Sequence, residues 1–265
     1  MISSAAFMIE HALGDCGGRH MQPTVFLACT YNLWNNIRLD ERRQPITRFL
    51  ELRRPDILCI QELTPDLCTL VEGAVPGLRR VDDPFPGWTT ESNVFWNSDL
   101  FELVEYGAED IGMVEPDRRL FWVRLVVDSG KTLLVATAHF TWTGNKQEMK
   151  DRINIRVEQA EAAAVSLGTL VQPNEPVLFM GDFNDYQYPP QMLRDAGFSD
   201  SFSALGQETV STYPAFPKPS HPPTVLDWMM HAGPIRPTLS SVVDFYVDRI
   251  PPSDHKPILS TYSLE

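Results

Sequence analysis

Three things are scarce in this sequence, and each scarcity argues against a class of protein. Basic residues are few: 22 Lys and Arg stand against 35 Asp and Glu, a formal net charge of −13. That balance argues against a protein wrapped in duplex phosphates, because non-specific duplex binding rests on excess Lys and Arg. It does not argue against a phosphate substrate, since a divalent metal supplies positive charge locally while the surface stays acidic. Taken alone, the acidic balance reads as solubility. Long apolar runs are also missing, and none approaches the ~20 residues of a membrane-spanning helix. Cysteines number only four: Cys16, Cys29, Cys59 and Cys68. They form no CxxC pair and no zinc spacing. Cys29 and Cys59 fall inside apolar runs, where a reduced thiol is a small core residue. A reducing, cytoplasmic location follows as an expectation, with a disulfide left open.

What is present is enough for a sizeable core. The chain has 265 residues, 43% of them hydrophobic, which suits one large α/β sandwich. It contains no internal repeat, low-complexity tract or obvious linker. Residues 1–22 look different from the rest and are expected to be an extension, with the folded domain at 23–265. Their weak apolar patch is interrupted by Glu10 and His11 and has no basic residue before it, a poor signal peptide. Met21 is a candidate start.

Short β-rich runs mark strands at TVFLACTYN (24–32), ILCIQEL (57–63), the stretch SNVFWNSDLFELVEYG, RRLFWVRLVVDSG, KTLLVATAHF and EPVLFMGDFND (175–185). DSGK (128–131) is a hairpin turn between two of them. Residues 40–56 carry Ile46, Phe49, Leu50 and Leu52 near helical spacing before a proline stop. Thr64-Pro65 opens a second helix. The longest helical stretch is predicted over 145–171, and a short one over 189–197. The Pro-rich run 211–224 reads as a loop, with mobility an expectation. VLDWMMH, SVVDFYV and KPILSTYSL read as the last strands. Strands outnumber helices, so the pattern predicts layered α/β with two sheets.

Polar residues sit where these strands end, which is where layered folds carry function. Asn32 follows the first strand and Glu62 ends the second. His139 ends KTLLVATAHF. Asp182 and Asn184 follow PVLFMG. Asp254 and His255 sit in PPSDHKPIL, between prolines and before the last strand. Each alone has a structural reading: Asn32 caps a turn, Glu62 is an exposed carboxylate, His139 is a core histidine. Asp227 differs, because a carboxylate inside the apolar run VLDWMM needs a partner; its plain reading is an ion pair with an arginine. As a set they read otherwise. Carboxylates and an amide oxygen are hard ligands suited to Mg²⁺ or Mn²⁺. Two histidines can donate to a phosphate, and a buried Asp can orient one of them. Metal, histidines and a water-activating carboxylate together make a phosphoryl-transfer constellation.

The ordered set TYN, QEL, TAHF, GDFND, LDW and SDHKP resembles the endonuclease/exonuclease/phosphatase superfamily, from about Thr24 to Tyr262. Six motifs in the family order make a specific match. The resemblance implies a four-layered α-β-β-α sandwich of two packed mixed, mainly antiparallel sheets. It implies that Glu62, Asn32 and Asp254 lie at the metal, which would be Mg²⁺ with Mn²⁺ able to substitute. Asp182 would orient or deprotonate the attacking water, and Asn184 would hold the phosphate or that water. His139 would bind a non-bridging oxygen, and His255 would contact the scissile phosphate with Asp227 behind it. Arg118 resembles a family arginine that begins a strand entering the site. Arg156 and Gln159 match a family helix pattern and fit a polar helix face equally well. Trp34, two residues after Asn32, and Trp142, three after His139, form either a substrate wall or loop packing.

The chain departs from the nuclease pattern in lacking the Tyr-containing and basic insertions of an abasic-site endonuclease. The leading reading is therefore an Mg²⁺-dependent phosphodiesterase or phosphatase acting on a small, lipid or nucleotide phosphoester. A DNA or RNA nuclease is the runner-up, disfavoured by the net charge. A binding protein that keeps the fold without the chemistry is the third, and every expected polar position is filled against it.

Overall fold

The computed structural model describes residues 23–217 and 222–265. The expected extension at 1–22, with Cys16, lies outside the described residues, as does the middle of the Pro-rich loop.

The elements run β1 (Val25–Asn32), α1 (Leu39–Arg53), β2 (Ile57–Gln61), α2 (Pro65–Ala74), β3 (Leu78–Arg80), α3 (Gly87–Thr90), β4 (Ser92–Asn97) and β5 (Glu102–Glu109). They continue with β6 (Leu120–Val126), β7 (Thr132–His139), α4 (Lys146–Asp151), α5 (Ile155–Leu170), β8 (Val177–Asp182), α6 (Tyr188–Asp195), β9 (Ser199–Asp200), β10 (Asp227–Ala232), β11 (Ile235–Val242) and β12 (Ile258–Leu264). Two six-stranded sheets result, in the orders β11-β12-β1-β2-β4-β3 and β5-β6-β7-β8-β10-β9. Each is built on one parallel pair, β1 with β2 and β7 with β8. Parallel neighbours need a long crossover, supplied by α1 in one sheet and by α4 with α5 in the other. The remaining pairings are antiparallel.

Period-two alternation sorts the side chains into layers. Phe26 and Ala28 of β1, Ile57 and Cys59 of β2, Leu133 and Val135 of β7, and Leu178 and Met180 of β8 form one core between the sheets. Their neighbours on the opposite faces pack outward. Cys29, Tyr31, Leu58 and Ile60 meet Phe49 and Leu50 of α1 and Leu67 of α2. Leu134, Ala136 and Phe179 meet Ala160, Ala163 and Leu167 of α5. Three cores separate four layers, the α-β-β-α sandwich that the resemblance implied. Cys29, Cys59 and Cys68 are free and buried.

Three expectations need correction. The 145–171 stretch is two helices. Arg152 adopts a left-handed conformation (φ 57°) at the end of α4, and the Asn154 side chain accepts from Arg156 N to start α5, a good N-cap. The stretch SNVFWNSDLFELVEYG divides between sheets, β4 in one and β5 in the other. The predicted strand at 241–247 ends at Val242, because the chain must leave β12 to build the loop that carries Asp254 and His255. Its pairing partner is instead the earlier stretch from Ile235, an edge strand that accommodates Pro237 beside a register shift.

The order of strands places the site. All four parallel strands end at one rim: β1 and β2 at Asn32 and Gln61, β7 and β8 at His139 and Asp182, the last two directly paired. Antiparallel β10 begins there, with Asp227 opposite Asp182. The same alternation that sends Leu178 and Met180 between the sheets sends Asp182 there too. Gly181 makes that approach possible, since a Cβ at this position would overlap the Ala138 carbonyl of β7. Gly181→Ala should therefore destabilise the protein by about 1–3 kcal/mol or more, read as a lower urea midpoint with an unchanged slope.

Candidate active site

Asp182 is the point on which the two sheets converge. Its Oδ2 accepts from Asn32 Nδ2 of the other sheet at 3.0 Å. The same oxygen lies 3.4 Å from His139 Nε2 and 3.7 Å from His255 Nε2. Its Oδ1 accepts from Asn184 N at 2.9 Å. Burial pushes the Asp182 carboxyl up to about 7, against the pull of His255. A carboxyl poised near neutrality takes and returns protons readily.

Behind it, His255 Nδ1 is 2.8 Å from Asp227 Oδ2, and both side chains are buried. Burial opposes a charge on His255, but Asp227 and Asp182 outweigh it and raise the imidazole to about 10. The partner of Asp227 is thus a histidine rather than an arginine. His139 goes the other way: burial, Arg118 and His255 hold it well below its ordinary value. Its Nδ1 is buried without a hydrogen-bond partner.

The metal-side residues form a second group. Asn32 Nδ2 also donates to Glu62 Oε1 at 3.2 Å, and Asn35 Nδ2 donates to Glu62 Oε2 at 2.7 Å. The Asn32 Oδ1 accepts from Trp34 N at 2.9 Å. Asp254 shares the cavity with Glu62. Burial pushes its carboxyl up to about 6, with Glu62 adding to the push and His255 resisting it. Among the described residues no ion pair reaches Glu62 or Asp254. Glu62 also holds a left-handed backbone conformation (φ 52°), as do Trp34 (55°) and Asn184 (51°). Such strain gathers where the surroundings force a residue into a working position. Asp182, Asp227 and His255 form another compact cluster, each with a donor atom within 4.8 Å of the others.

The loops that hold these groups are braced by buried polar side chains. Arg42 of α1 is fully buried and donates to five backbone carbonyls: Leu33, Trp34, Asn35 and Ile37 after β1, and Pro252 before Ser253. Ser253 Oγ donates to Asn32 O at 2.7 Å and accepts from His255 N at 3.2 Å. Thr212 O accepts from Lys256 N, while its hydroxyl accepts from Leu226 N and Asp227 N. Gln61 bridges the sheets just below the site, donating to Thr30 and Thr137 hydroxyls. Sequence reasoning missed Arg42, Gln61 and Thr212. Arg42 lay within an arginine-rich helix and had no distinguishing signal, whereas Gln61 stood beside Glu62 in QEL.

The other expected residues fall as follows. Asn184 lines the cavity and donates from Nδ2 to Phe140 O at 2.9 Å. Arg118 lines it too, paired to Glu91 at 2.9 Å and 3.7 Å from Glu115. Arg156 and Gln159 are buried rather than solvent-facing. Arg156 donates to Thr141 O and Glu148, and Gln159 holds both the N–H and the hydroxyl of Thr141. They fix the loop after His139. Trp34 lies beneath the Arg42 guanidinium, 5.1 Å from its ring centre. Trp142 stands exposed over the cavity.

A four-layered sandwich with carboxylates, amides and histidines gathered at one rim defines a class, the phosphoester hydrolases of this architecture. The chain belongs to the Endonuclease/Exonuclease/phosphatase family, whose model matches residues 29–255, and it is a phosphoester hydrolase. Solved structures agree on the fold. An endonuclease/exonuclease/phosphatase family protein from Bacteroides thetaiotaomicron is 21% identical, with a TM-score of 0.75 over 92% of this chain and 99% of that one. The mannosyl-6-phosphatase of the same organism is 21% identical, with a TM-score of 0.73 over 89% and 98%. D. rerio TDP2, complexed with a single-strand DNA product, is 16% identical, with a TM-score of 0.72 over 90% and 99%. A comparison with curated proteins finds no match.

The His255–Asp227 pair has a measurable consequence. Because His255 is raised above its unfolded value, its contribution to stability is fully present below about pH 6.5 and is lost as pH rises through about 10. In Asp227→Asn the imidazole should titrate well below the wild-type value, and the alkaline loss of stability should shrink. Imidazole nitrogen NMR and urea unfolding across pH 6 to 10 would check both.

Proposed function

We propose that residues 23–265 form one metal-dependent phosphodiesterase domain, with Asp182 as the group that readies the attacking water. The observation that carries this reading is the meeting of Asn32, His139 and His255 around one oxygen of Asp182. A water held by Asp182 would lose its proton to a carboxylate buried enough to accept it. Neutral His139 would donate its Nε2 hydrogen to a non-bridging phosphate oxygen. Cationic His255, kept charged by Asp227, would offset charge building on the phosphate or its leaving oxygen. Asn184 would steady the phosphate or the water, and Arg118 would add a positive field at the cavity wall.

The donor set fits a hard divalent cation, Mg²⁺ with Mn²⁺ as a substitute. Glu62 and Asp254 are two carboxylates in one cavity that enter no ion pair among the described residues, and Asp254 is pushed up partly by Glu62. Glu62 and Asp254 would hold the ion, with Asn32 setting the orientation of Glu62. When bound, such an ion lowers the charge barrier at the phosphate and helps deprotonate water. The compact cluster of Asp182, Asp227 and His255 is a less suitable cage, because His255 Nδ1 is already hydrogen-bonded to Asp227. Buried free thiols favour a reducing, cytoplasmic setting.

Hydrolysis of bis-p-nitrophenyl phosphate should exceed that of p-nitrophenyl phosphate, should require Mg²⁺ or Mn²⁺, and should stop in EDTA. Asp182→Ala should lower kcat by about 10²–10⁴-fold without loss of folding. Glu62→Gln should raise the Mg²⁺ concentration needed for half-maximal rate. Metal-independent turnover, or full activity in Asp182→Ala, would sink the reading.

A further inference from the structure

The cavity at the rim, about 1040 Å³, is far larger than one phosphate needs. Its inner end is the polar group just described. Its outer end is aromatic: Trp142, Tyr186 and Tyr188 line it and stay 54%, 64% and 51% exposed. Three large rings left in water around one cavity contribute little to the core. Yet the backbone that presents them is tightly held.

Trp142 follows Thr141, whose N–H is held by Gln159 and whose carbonyl is held by Arg156. Its own carbonyl accepts from Asn145 N at 3.1 Å. The indole lies directly on Gly144, where a Cβ would collide with the six-membered ring. On the neighbouring loop, after β8, Asp185 Oδ1 accepts from Gln187 N and Tyr188 N, and its Oδ2 accepts from Asn154 Nδ2. Asp185 thereby fixes the turn bearing Tyr186 and Tyr188. Pre-ordered rings with exposed faces bind flat partners at low entropic cost.

Charge narrows the partner further. The only cationic or histidine side chains among the described lining residues are Arg118, His139 and His255, all at the inner end, and Arg118 is paired to Glu91. Asp185, nearer the aromatic end, is paired with the buried Arg156 at 3.5 Å and adds no positive charge. A nucleic-acid strand tracks its successive phosphates along a basic groove, and none of the described lining residues outside the inner group is basic.

We infer that the substrate carries one phosphoester group and a flat, uncharged ring, a nucleobase or an aryl group, which lies against Trp142 between Tyr186 and Tyr188. The inference rests on the hydrolase reading above and names the substrate class of that site. Gly144 is the positioning residue for the indole.

The test compares competitive inhibition by methylphosphonate, phenylphosphonate and a thymidine 5′-phosphonate, with decathymidylate as the polyanion. Turnover of the better p-nitrophenyl ester is the readout. At least one ring-bearing phosphonate should bind at least about tenfold tighter than methylphosphonate, and which one does so separates a nucleobase from an aryl group. That ratio should collapse towards unity in Trp142→Ala and in Gly144→Ala, and should largely survive in Trp142→Phe, with thermal melts confirming folding. Equal binding of ring and methyl compounds by an active enzyme would overturn the inference and leave the hydrolase reading standing. So would decathymidylate binding tenfold tighter than either ring compound, or a ratio unchanged in Trp142→Ala. Absence of turnover on every phosphoester, with metal present, would remove the hydrolase reading and this inference together.

Discussion

Everything at the rim depends on the packing of two sheets whose parallel pairs end at the same edge. Apolar side chains fill the space between the sheets until the last residues of β1 and β7, where Thr30 and Thr137 take the inward positions. The next inward-pointing positions are Asn32, Gln61, His139 and Asp182. Below the rim, Gln61 ties Thr30 to Thr137 across the interface. Unpaired polar groups there would be costly, so the polar network and the sheet packing support each other. Asp182 stands at the top of that seam, and Asn32 reaches it from the opposite sheet.

Two carboxylates at this rim are pushed upward by burial and one imidazole is held charged. This is the pattern expected of a site built for chemistry rather than for stability. The pair Asp227–His255 and the neutral His139 divide two histidines into two electrostatic roles, set by their neighbours rather than by their own chemistry. The surrounding loops are irregular, yet they are not loose. Arg42, Thr212, Arg156 and Asp185 each spend their polar groups on backbone atoms of the loops that carry the site.

Much of this was legible in the sequence. Strand ends at Asn32, Glu62, His139 and Asp182 were marked by apolar runs that stopped at polar residues, because burial on both faces leaves a continuous apolar signature. The Asp227 carboxylate announced itself by its apolar flanks. Other features were not legible. The 145–171 stretch carries a helical composition throughout, and it is broken by the left-handed Arg152 and by the Asn154 cap with its bond to Asp185. The edge strand from Ile235 was hidden by Pro237, which an edge position tolerates. Arg156 and Gln159 looked like a polar helix face because local spacing cannot reveal that Thr141 is packed against them.

The sequence by itself determined which residue types stand at the strand ends and in what order, since alternation and chain order are local properties. It also determined the acidic balance and the lack of long apolar runs. Only the tertiary structure decided that Asp182 and Asn32, 150 positions apart, share one hydrogen bond. The same holds for His255 finding Asp227 and for Gln61 reaching Thr137. These contacts depend on how two sheets stack and where crossovers return the chain, and such long-range geometry leaves no periodic mark on the residues that make it.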